Sequence, residues 1–201
     1  MGESLRRPLG SCALHLCVDM QRLFSTEGPW PTPWMERVLP VIVSIAERAP
    51  ERTLFTRFIP PMRPDDMAGT WRLYYEKWEE ATRERIDPAL FDLMPPLQRL
   101  VPPARVFDKP VYSAFAGRLL NEDLQRRNVD TLIVTGSETD VCVLSTVLGA
   151  VDHGYRVVLV SDGLCSSSDE GHDALLSLYR NRFSLQIETV TSEELLENWR
   201  P

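Results

Sequence analysis

A chain of 201 residues with a net charge of −7 at pH 7 is long enough for one α/β domain with a full hydrophobic core. The acidic balance disfavours nucleic acid and anionic membranes as partners, because both require a basic face. No run approaches the ~18 apolar residues of a membrane span, and the short apolar stretch near the start carries Asp19, which is atypical of a signal peptide. We therefore expect a cytoplasmic protein whose four cysteines are reduced thiols.

The hydrophobic pattern alternates between strands and helices. Strands are predicted at 12–20, 52–58, 104–109, 130–136, 155–163 and 184–190. Helices are predicted at 33–49, 69–85, 117–128, 140–154, 169–182 and 191–199, the last opened by a Thr-x-x-Glu capping box. Strands that are apolar on both faces and alternate with helices are typical of a parallel sheet covered on both sides. The predicted fold class is therefore α/β, a three-layer α/β/α, Rossmann-like arrangement.

The segment 60–103 interrupts this alternation. It holds eight of the sixteen prolines together with Trp71, Tyr74, Tyr75 and Trp78. A long connection with rigid turns and aromatic residues predicts a lid or a subunit contact within a single domain spanning 1–201, rather than a second domain. Aromatic residues are enriched at protein interfaces, so these four suit the interface of a homo-oligomer.

Polar residues follow three of the predicted strands. In an open parallel sheet, ligands bind at the carboxyl ends of the strands, beside the switch in strand order. Asp19 ends the first strand, Lys109 ends the third, and the fourth leads through a polar turn to Cys142 at the start of a helix. A helix N-terminus or a nearby cation lowers a thiol pKa, so Cys142 fits a nucleophile and Lys109 its stabilising cation. Asp19 fits the acid and base, and backbone N–H groups before Cys142 fit an oxyanion hole.

Each of these residues also has an ordinary structural explanation. Cys142 alone suits a buried packing residue, Asp19 a cap, and Lys109 a surface charge. Their joint placement at three strand ends favours a site. Three arginines are candidates for binding a substrate carboxylate, although such side chains are more often solvated: Arg57, Arg63 and Arg72.

Three segments, "LCVDMQRLF", "DKPVYSAF" and "GSETDVCVLSTVLGAVDHGYRVVLVSDG", resemble the isochorismatase-like cysteine hydrolases. That family includes nicotinamidases, N-carbamoylsarcosine and ureidoacrylate amidohydrolases, and isochorismatases. The resemblance runs in order from about residue 12 to 196 and is weakest in the proline-rich insertion. It implies a six-stranded sheet in the order 3-2-1-4-5-6, a triad of Asp19, Lys109 and Cys142, and a dimer or tetramer.

The resemblance also implies how the site works. The thiolate attacks a carbonyl, ammonia or an amine leaves, and water hydrolyses the thioester. The implied oxyanion donors are the backbone N–H groups of Glu138 and Cys142, with a non-proline cis peptide between Ser137 and Glu138. The expected pocket residues are Gln21, Phe24 and Thr139; core packing is the alternative for Phe24.

The chain departs from the nicotinamidase pattern after the second strand. The corresponding stretch, "FTRFIPP", lacks an Asp-x-His pair, and the three histidines are scattered, so no metal and no cofactor are expected. The predicted function is hydrolysis of a C–N bond in a small amide or ureido substrate. The alternatives are vinyl ether hydrolysis of the isochorismatase type, which needs an acid more than a nucleophile, and a non-catalytic or redox-sensing member of the family. The sequence leaves the substrate and the role of the Glu138 side chain open.

Overall fold

Six parallel strands form the centre of the computed structural model, which describes residues 4–201 and leaves the first three residues of the predicted domain outside the described part. The strands are β1 (Ala13–Val18), β2 (Thr53–Phe58), β3 (Arg105–Lys109), β4 (Thr131–Ser137), β5 (Arg156–Cys165) and β6 (Ile187–Val190). Their order in the sheet is β3-β2-β1-β4-β5-β6, and every neighbouring pair is parallel. The predicted fold class and strand order are confirmed.

A layer of helices covers each face of the sheet. The helices are α1 (Met35–Arg48), α2 (Thr70–Lys77), α3 (Pro95–Gln98), α4 (Leu119–Arg126), α5 (Leu144–Asp152), α6 (Asp169–Asn181) and α7 (Ser192–Asn198). Helices α4, α5 and α6 pack on one face, and α1 and α7 pack on the other. Along β1, Leu16 and Val18 belong to the hydrophobic cluster that contains α4, α5 and α6, and Cys17 belongs to a cluster on the other face of the sheet. The reason is that successive strand residues point to opposite faces. Within residues 4–201, no helix has the length and apolarity needed to cross a membrane.

The end of α2 and the N-terminal cap of α7 differ from the sequence prediction. The predicted helix 69–85 ends at Lys77, because the backbone of Trp78 leaves the helical conformation and a short 3-10 turn, Glu79–Ala81, follows. Further along, the backbone N–H groups of Arg83 and Glu84 donate to the carbonyls of residues 61 and 62. The capping box of α7 is half formed. The hydroxyl of Thr191 accepts from the N–H of Glu194, whereas the Glu194 carboxylate accepts from the N–H of Leu5.

The insertion 60–103 packs against the sheet through α2 and α3. Tyr75 and Leu97 are buried in the same hydrophobic cluster as residues of β2 and α1, so the insertion shares a core with the sheet. Trp71 and Tyr74 are half-buried and contact aromatic rings outside the insertion. These rings face the rest of the chain instead of forming an open surface, while the lid and the homo-oligomer stay predictions.

Candidate active site

Asp19 lies immediately after β1 and is held by the neighbouring strand. Its φ of 50° is in the left-handed region, which is uncommon for a residue other than glycine. Its backbone N–H donates to the carbonyl of Thr56, at 3.2 Å, and the Thr56 hydroxyl donates to Asp19 Oδ1 at 2.6 Å. Both side chains are fully buried. Thr56 was missed by the sequence analysis, although a hydroxyl inside the apolar strand "LFTRF" was a visible signal.

Lys109 ends β3 and forms a buried ion pair with the other oxygen of the same carboxylate. Its Nζ lies 2.6 Å from Asp19 Oδ2, and only 2% of its side chain is exposed. The ammonium also donates to the carbonyl of Val111 at 3.2 Å and lies 5.1 Å from the ring centre of Phe58. Burial lowers the pKa of Lys109, but Asp19 and then Cys142 raise that pKa by more, so Lys109 keeps its proton.

A glycine lets the ends of β1 and β4 approach each other. Gly136 pairs with Val18 and has a φ of 115°, a conformation that favours glycine. A Cβ at this position would lie 2.1 Å from the carbonyl oxygen of Val18. This close approach brings the turn after β4 next to Asp19.

Cys142 lies in a π-helical turn, Thr139–Val143, that leads directly into α5. The peptide bond between Ser137 and Glu138 is cis. The carbonyl of Glu138 then accepts from the N–H groups of Val141 and Val143, at 3.1 and 3.0 Å, which closes the turn beneath the cysteine. The turn thus fixes the position of the Cys142 thiol relative to the strand ends.

The Cys142 thiol interacts with both Asp19 and Lys109, and 5% of the residue is exposed. Burial raises the pKa of the thiol well above its ordinary value and Asp19 raises it further, while Lys109 lowers it. The expected lowering by Lys109 is present, but removal of the thiol from water outweighs it, so the net shift of the pKa is upward. The effect of the helix start stays a prediction. The site holds a protonated thiol beside an Asp19–Lys109 ion pair.

Two of the expected pocket residues, Gln21 and Thr139, are bonded within the fold. The Gln21 amide accepts from the N–H of Phe58 at 2.6 Å and donates to the carbonyls of Phe58 and Phe91, at 3.2 and 2.9 Å. The Thr139 hydroxyl donates to the carbonyl of Cys165 at 3.1 Å. Both side chains brace the site, and their contact with a substrate stays a prediction.

Phe24 belongs to a group of rings that we call the aromatic wall: Phe24, Trp30, Phe58, Trp71, Tyr74 and Tyr112. Phe24 stacks on Trp30 with ring centres 6.0 Å apart, and Trp71 contacts Tyr112 at 4.6 Å. Burial raises the pKa of the Tyr74 and Tyr112 hydroxyls, and the nearby Cys142 raises both further. Tyr74 and Tyr112 of the wall are thus within electrostatic reach of the thiol, and Phe58 of the wall contacts Lys109.

The loop after β5 binds the turn that carries Cys142. The Glu138 carboxylate accepts from the N–H of Ser167 at 2.8 Å and from its hydroxyl, and the Ser166 hydroxyl donates to Asp140 Oδ1 at 2.5 Å. These contacts give the Glu138 side chain a role that the sequence left open. The serine run "CSSS" after a buried strand is the signal that the sequence analysis did not use.

The histidines lie apart from one another. His15 is inside β1, with Nε2 2.8 Å from the Thr135 hydroxyl, and His172 on α6 is 2.8 Å from the Thr139 hydroxyl. His153 contacts the ring of Phe115 at the end of α5. In the part of the chain that the structure describes, no three His, Cys, Asp or Glu side chains are arranged to hold a metal ion. All four cysteines lie in that part and are free.

The three candidate arginines pair with acidic residues of the chain. Arg57 Nε lies 2.7 Å from Asp108 Oδ1, and Arg63 Nη2 lies 2.9 Å from Glu84 Oε1. Arg72 pairs with two carboxylates, those of Asp65 and Glu76. The Arg63 and Arg72 side chains are more than half exposed, and Arg57 is bound by an exposed partner. All three guanidinium groups are therefore already paired with carboxylates of this chain.

The fold matches that of solved cysteine hydrolases. The cysteine hydrolase from Pseudomonas syringae pv. phaseolicola 1448A has a TM-score of 0.82, with 24% identity, and the alignment covers 98% of this chain and 97% of that one. The family model for the isochorismatase domain matches residues 13–192. The chain belongs to the isochorismatase family.

Curated relatives match with moderate identity. The uncharacterized isochorismatase family protein PncA of Bacillus subtilis is 38% identical over 80 residues, which is 40% of this chain and 44% of that protein. Nicotinamidase 3 of Arabidopsis thaliana is 29% identical over 172 residues, covering 85% and 82%. The ureidoacrylate amidohydrolase RutB of Methylobacterium radiotolerans is 28% identical over 136 residues, covering 67% and 48%. The first and third of these matches thus span less than half of the relative's length.

Proposed function

We propose that this protein is a cysteine hydrolase that cleaves a C–N bond of a small amide or ureido compound through a thioester on Cys142. The observation that carries the proposal is the buried contact between the thiol, the Asp19 carboxylate and the Lys109 ammonium at the strand ends. The similarity to a nicotinamidase and to a ureidoacrylate amidohydrolase supports C–N bond cleavage. The proposed substrate is a small molecule, because only 5% of Cys142 is exposed.

Acylation begins with a neutral thiol. As substrate binds, the Cys142 proton moves to Asp19, and the sulfur forms a bond to the substrate carbonyl carbon. The carbonyl oxygen becomes an oxyanion that accepts hydrogen bonds from the backbone N–H groups of Glu138 and Cys142. Asp19 then gives its proton to the leaving nitrogen, the C–N bond breaks, and ammonia or an amine departs.

Deacylation uses the same groups with water as the nucleophile. Asp19 takes a proton from water while the water oxygen attacks the thioester carbonyl. The C–S bond breaks, and the sulfur recovers its proton from Asp19. Lys109 retains its own proton throughout, because Asp19 and Cys142 hold its pKa above the ordinary value, and its charge balances the sulfur anion.

The test is ammonia release across a panel of small amides and ureido acids, measured with the wild type, Cys142→Ala and Cys17→Ala. Cys17 is a matched control, because it is also a buried cysteine but lies inside β1. We expect turnover by the wild type and by Cys17→Ala and none by Cys142→Ala. Adding a metal chelator should leave these rates unchanged. Mass spectrometry of the stopped reaction should detect the acyl group on Cys142. Wild-type rates in Cys142→Ala would show that the nucleophile is wrongly assigned. If the wild type released no ammonia from any compound of the panel, vinyl ether hydrolysis or redox sensing would be favoured instead.

A further inference from the structure

A cavity of about 490 Å³ lies where β5 and β6 begin, at the end of the sheet opposite to the candidate active site. Its volume is within the range of about 300–1,000 Å³ that is usual for small-molecule sites. Arg156, the first residue of β5, and Glu188, near the start of β6, line it together with Arg6 and Arg7. None of these residues belongs to the candidate active site, so the cavity is a separate feature of the fold.

The segment before β1 carries two arginines to this cavity and is bonded in place. The backbone N–H of Arg6 donates to Glu188 Oε2 at 2.8 Å, and the carbonyl of Arg7 accepts from Arg156 Nη2 at 2.8 Å. The Arg6 side chain donates through Nη1 to the carbonyl of Leu185, also at 2.8 Å. The backbone positions of both arginines are therefore set by hydrogen bonds to β5, β6 and the chain before β6.

Glu188 is already paired within the fold. Its side chain is 3% exposed, and its two oxygens accept from Arg156 Nε and Nη2 at 2.7 and 2.8 Å. Arg6 Nε lies 3.4 Å from Glu188 Oε1. Burial raises the pKa of Glu188, but Arg156 and then Arg6 lower that pKa by more, so the carboxylate is ionised. One negative charge is thus shared between two guanidinium groups.

The third guanidinium group of the cavity has no counterion. Within residues 4–201, the exposed Arg7 side chain forms no ion pair and no hydrogen bond. Of the described residues that line the cavity, only Glu188 is acidic, so three arginines and one carboxylate leave two positive charges in excess. This local charge is opposite in sign to the net charge of the chain, which is −7. An anion in the cavity would balance it.

The cavity also has an apolar part. Leu185, whose exposed fraction is 78%, and the ring of Tyr155 line it beside the arginines. Guanidinium groups bind phosphate through paired N–H donors, and a phosphate monoester carries about two negative charges and three acceptor oxygens on one group. This combination of charge and apolar surface suits an organic phosphate better than a neutral compound.

We propose that this cavity, the arginine pocket, is a binding site for a small organic phosphate monoester, with the phosphate between Arg6, Arg7 and Arg156 and the organic part on Leu185 and Tyr155. The inference goes beyond the proposed function and does not depend on it, because no residue of the arginine pocket takes part in the proposed hydrolysis. The ligand is a small molecule, because the volume of the cavity is that of a small-molecule site.

The experiment is calorimetric binding to the full chain at about pH 8, above the second pKa of a phosphate monoester. An ionic strength of about 0.15 M screens attraction between distant surface charges. The probes are phenyl phosphate, phenyl sulfate, phthalate and inorganic phosphate. We expect phenyl phosphate to bind about tenfold or more tighter than each of the other three, because phenyl sulfate has a single negative charge, phthalate divides its two charges between two groups, and inorganic phosphate lacks the apolar part.

Arg7→Ala is the decisive variant, because its side chain has no partner within residues 4–201 and its loss should leave the unfolding temperature unchanged. The Kd for phenyl phosphate should rise about tenfold or more, and Arg7→Lys should recover part of the affinity, since it keeps the charge but not the planar fork. Arg99→Ala is the matched control. It makes the same change in net charge at an exposed position after α3, and it should keep the wild-type Kd.

The outcomes are independent of turnover. Absence of phenyl phosphate binding, or binding that is unchanged in Arg7→Ala or equally weakened in Arg99→Ala, would overturn the arginine pocket as a specific site. Equal affinity for inorganic phosphate, phenyl sulfate or phthalate would overturn the phosphate monoester as its ligand. Arg7-dependent binding by a protein that releases no ammonia would sustain this inference while the proposed hydrolysis fails.

Discussion

The sheet and the insertion 60–103 meet at the candidate active site but contribute different chemistry. The sheet presents the reactive groups, with Asp19 and Lys109 as a buried ion pair at the strand ends. The insertion contributes aromatic rings, and its charged side chains pair on the outer surface, as Arg63 does with Glu84. Under the proposed function, the candidate reactive groups and some of the groups expected to meet the substrate therefore lie on separate segments. Variants of the sheet should change the rate for every substrate, and variants of the insertion should change which substrate is preferred.

Asp19→Asn should have the largest effect. We expect kcat/KM to fall about 10³-fold for every substrate, because the variant lacks the acid and base of both half-reactions. The thiol pKa should move the other way. Asp19 raises the pKa of Cys142, so its neutralisation should lower that pKa and leave Lys109 unpaired beside the sulfur.

The pH profile of Cys142 alkylation by iodoacetamide measures this second effect. Its midpoint should shift to lower pH in Asp19→Asn, so that alkylation at neutral pH is faster although turnover is lost. A midpoint shifted upward would contradict the assigned electrostatics. Asp108→Asn, which changes an exposed carboxylate at the end of β3, is the control and should keep the wild-type profile.

Gln21→Leu should test the junction between the two regions. The Gln21 amide joins the backbone of Phe58 in the sheet to that of Phe91 in the insertion through three hydrogen bonds. Their loss leaves buried backbone groups unpaired, at a cost of about 1–3 kcal/mol for each unsatisfied group. Urea unfolding should give a correspondingly lower free energy. A free energy of unfolding equal to that of the wild type would show that this junction contributes nothing.

Thr56→Val should act on the rate through Asp19. The variant keeps the shape of the side chain but removes the hydroxyl that donates to Asp19 Oδ1. We expect kcat to fall about 10- to 100-fold, as for a misplaced general base, with KM little changed. Thr56→Ser should restore most of the rate, since it returns the donor. If Thr56→Ser were as slow as Thr56→Val, packing of the methyl group would be the cause and not the hydrogen bond.

The sequence was sufficient to predict the sheet and to predict that three candidate site residues lie together, for a physical reason. Strand periodicity places residues on faces, and parallel strands bring their carboxyl ends to one edge, so Asp19, Lys109 and Cys142 could be predicted to meet. Local pattern carries no information on long-range pairing. The hydrogen bond from Thr56 and those from Ser166 and Ser167 depend on register and on loop paths.

Two further features escaped prediction because competing terms decide them. Lys109 favours a low thiol pKa, but burial of Cys142 reverses the direction, and burial is a property of the tertiary packing around the thiol. Helical spacing in 69–85 favours one long helix, but the helix ends at Lys77, and Arg83 and Glu84 pair with the backbone of residues 61 and 62 instead of forming helical hydrogen bonds. In both cases tertiary contact outweighs the local preference.

His15 should give the sheet a pH-dependent stability that the insertion does not share. The residue is fully buried in β1, and burial lowers its pKa from 6.5 to about 3. The unfolded chain binds a proton below pH 6.5 that the folded chain does not bind until about pH 3, so stability falls as the pH falls through this window. The slope approaches about 1.4 kcal/mol per pH unit for this one group.

Urea unfolding at pH 7.5 and pH 5.5 measures this contribution. We expect the wild type to lose more stability between the two pH values than His15→Asn, which cannot titrate. The difference in free energy of unfolding should approach the contribution of one proton that only the unfolded chain binds. His153→Asn, at the exposed end of α5, should retain the wild-type difference. Equal losses in the wild type and His15→Asn would mean that this histidine is hydrated or charged in the folded sheet. In that case water or a proton would have to reach His15 although it is fully buried between the hydroxyls of Thr53 and Thr135, so this part of the sheet would open more readily than its buried contacts indicate.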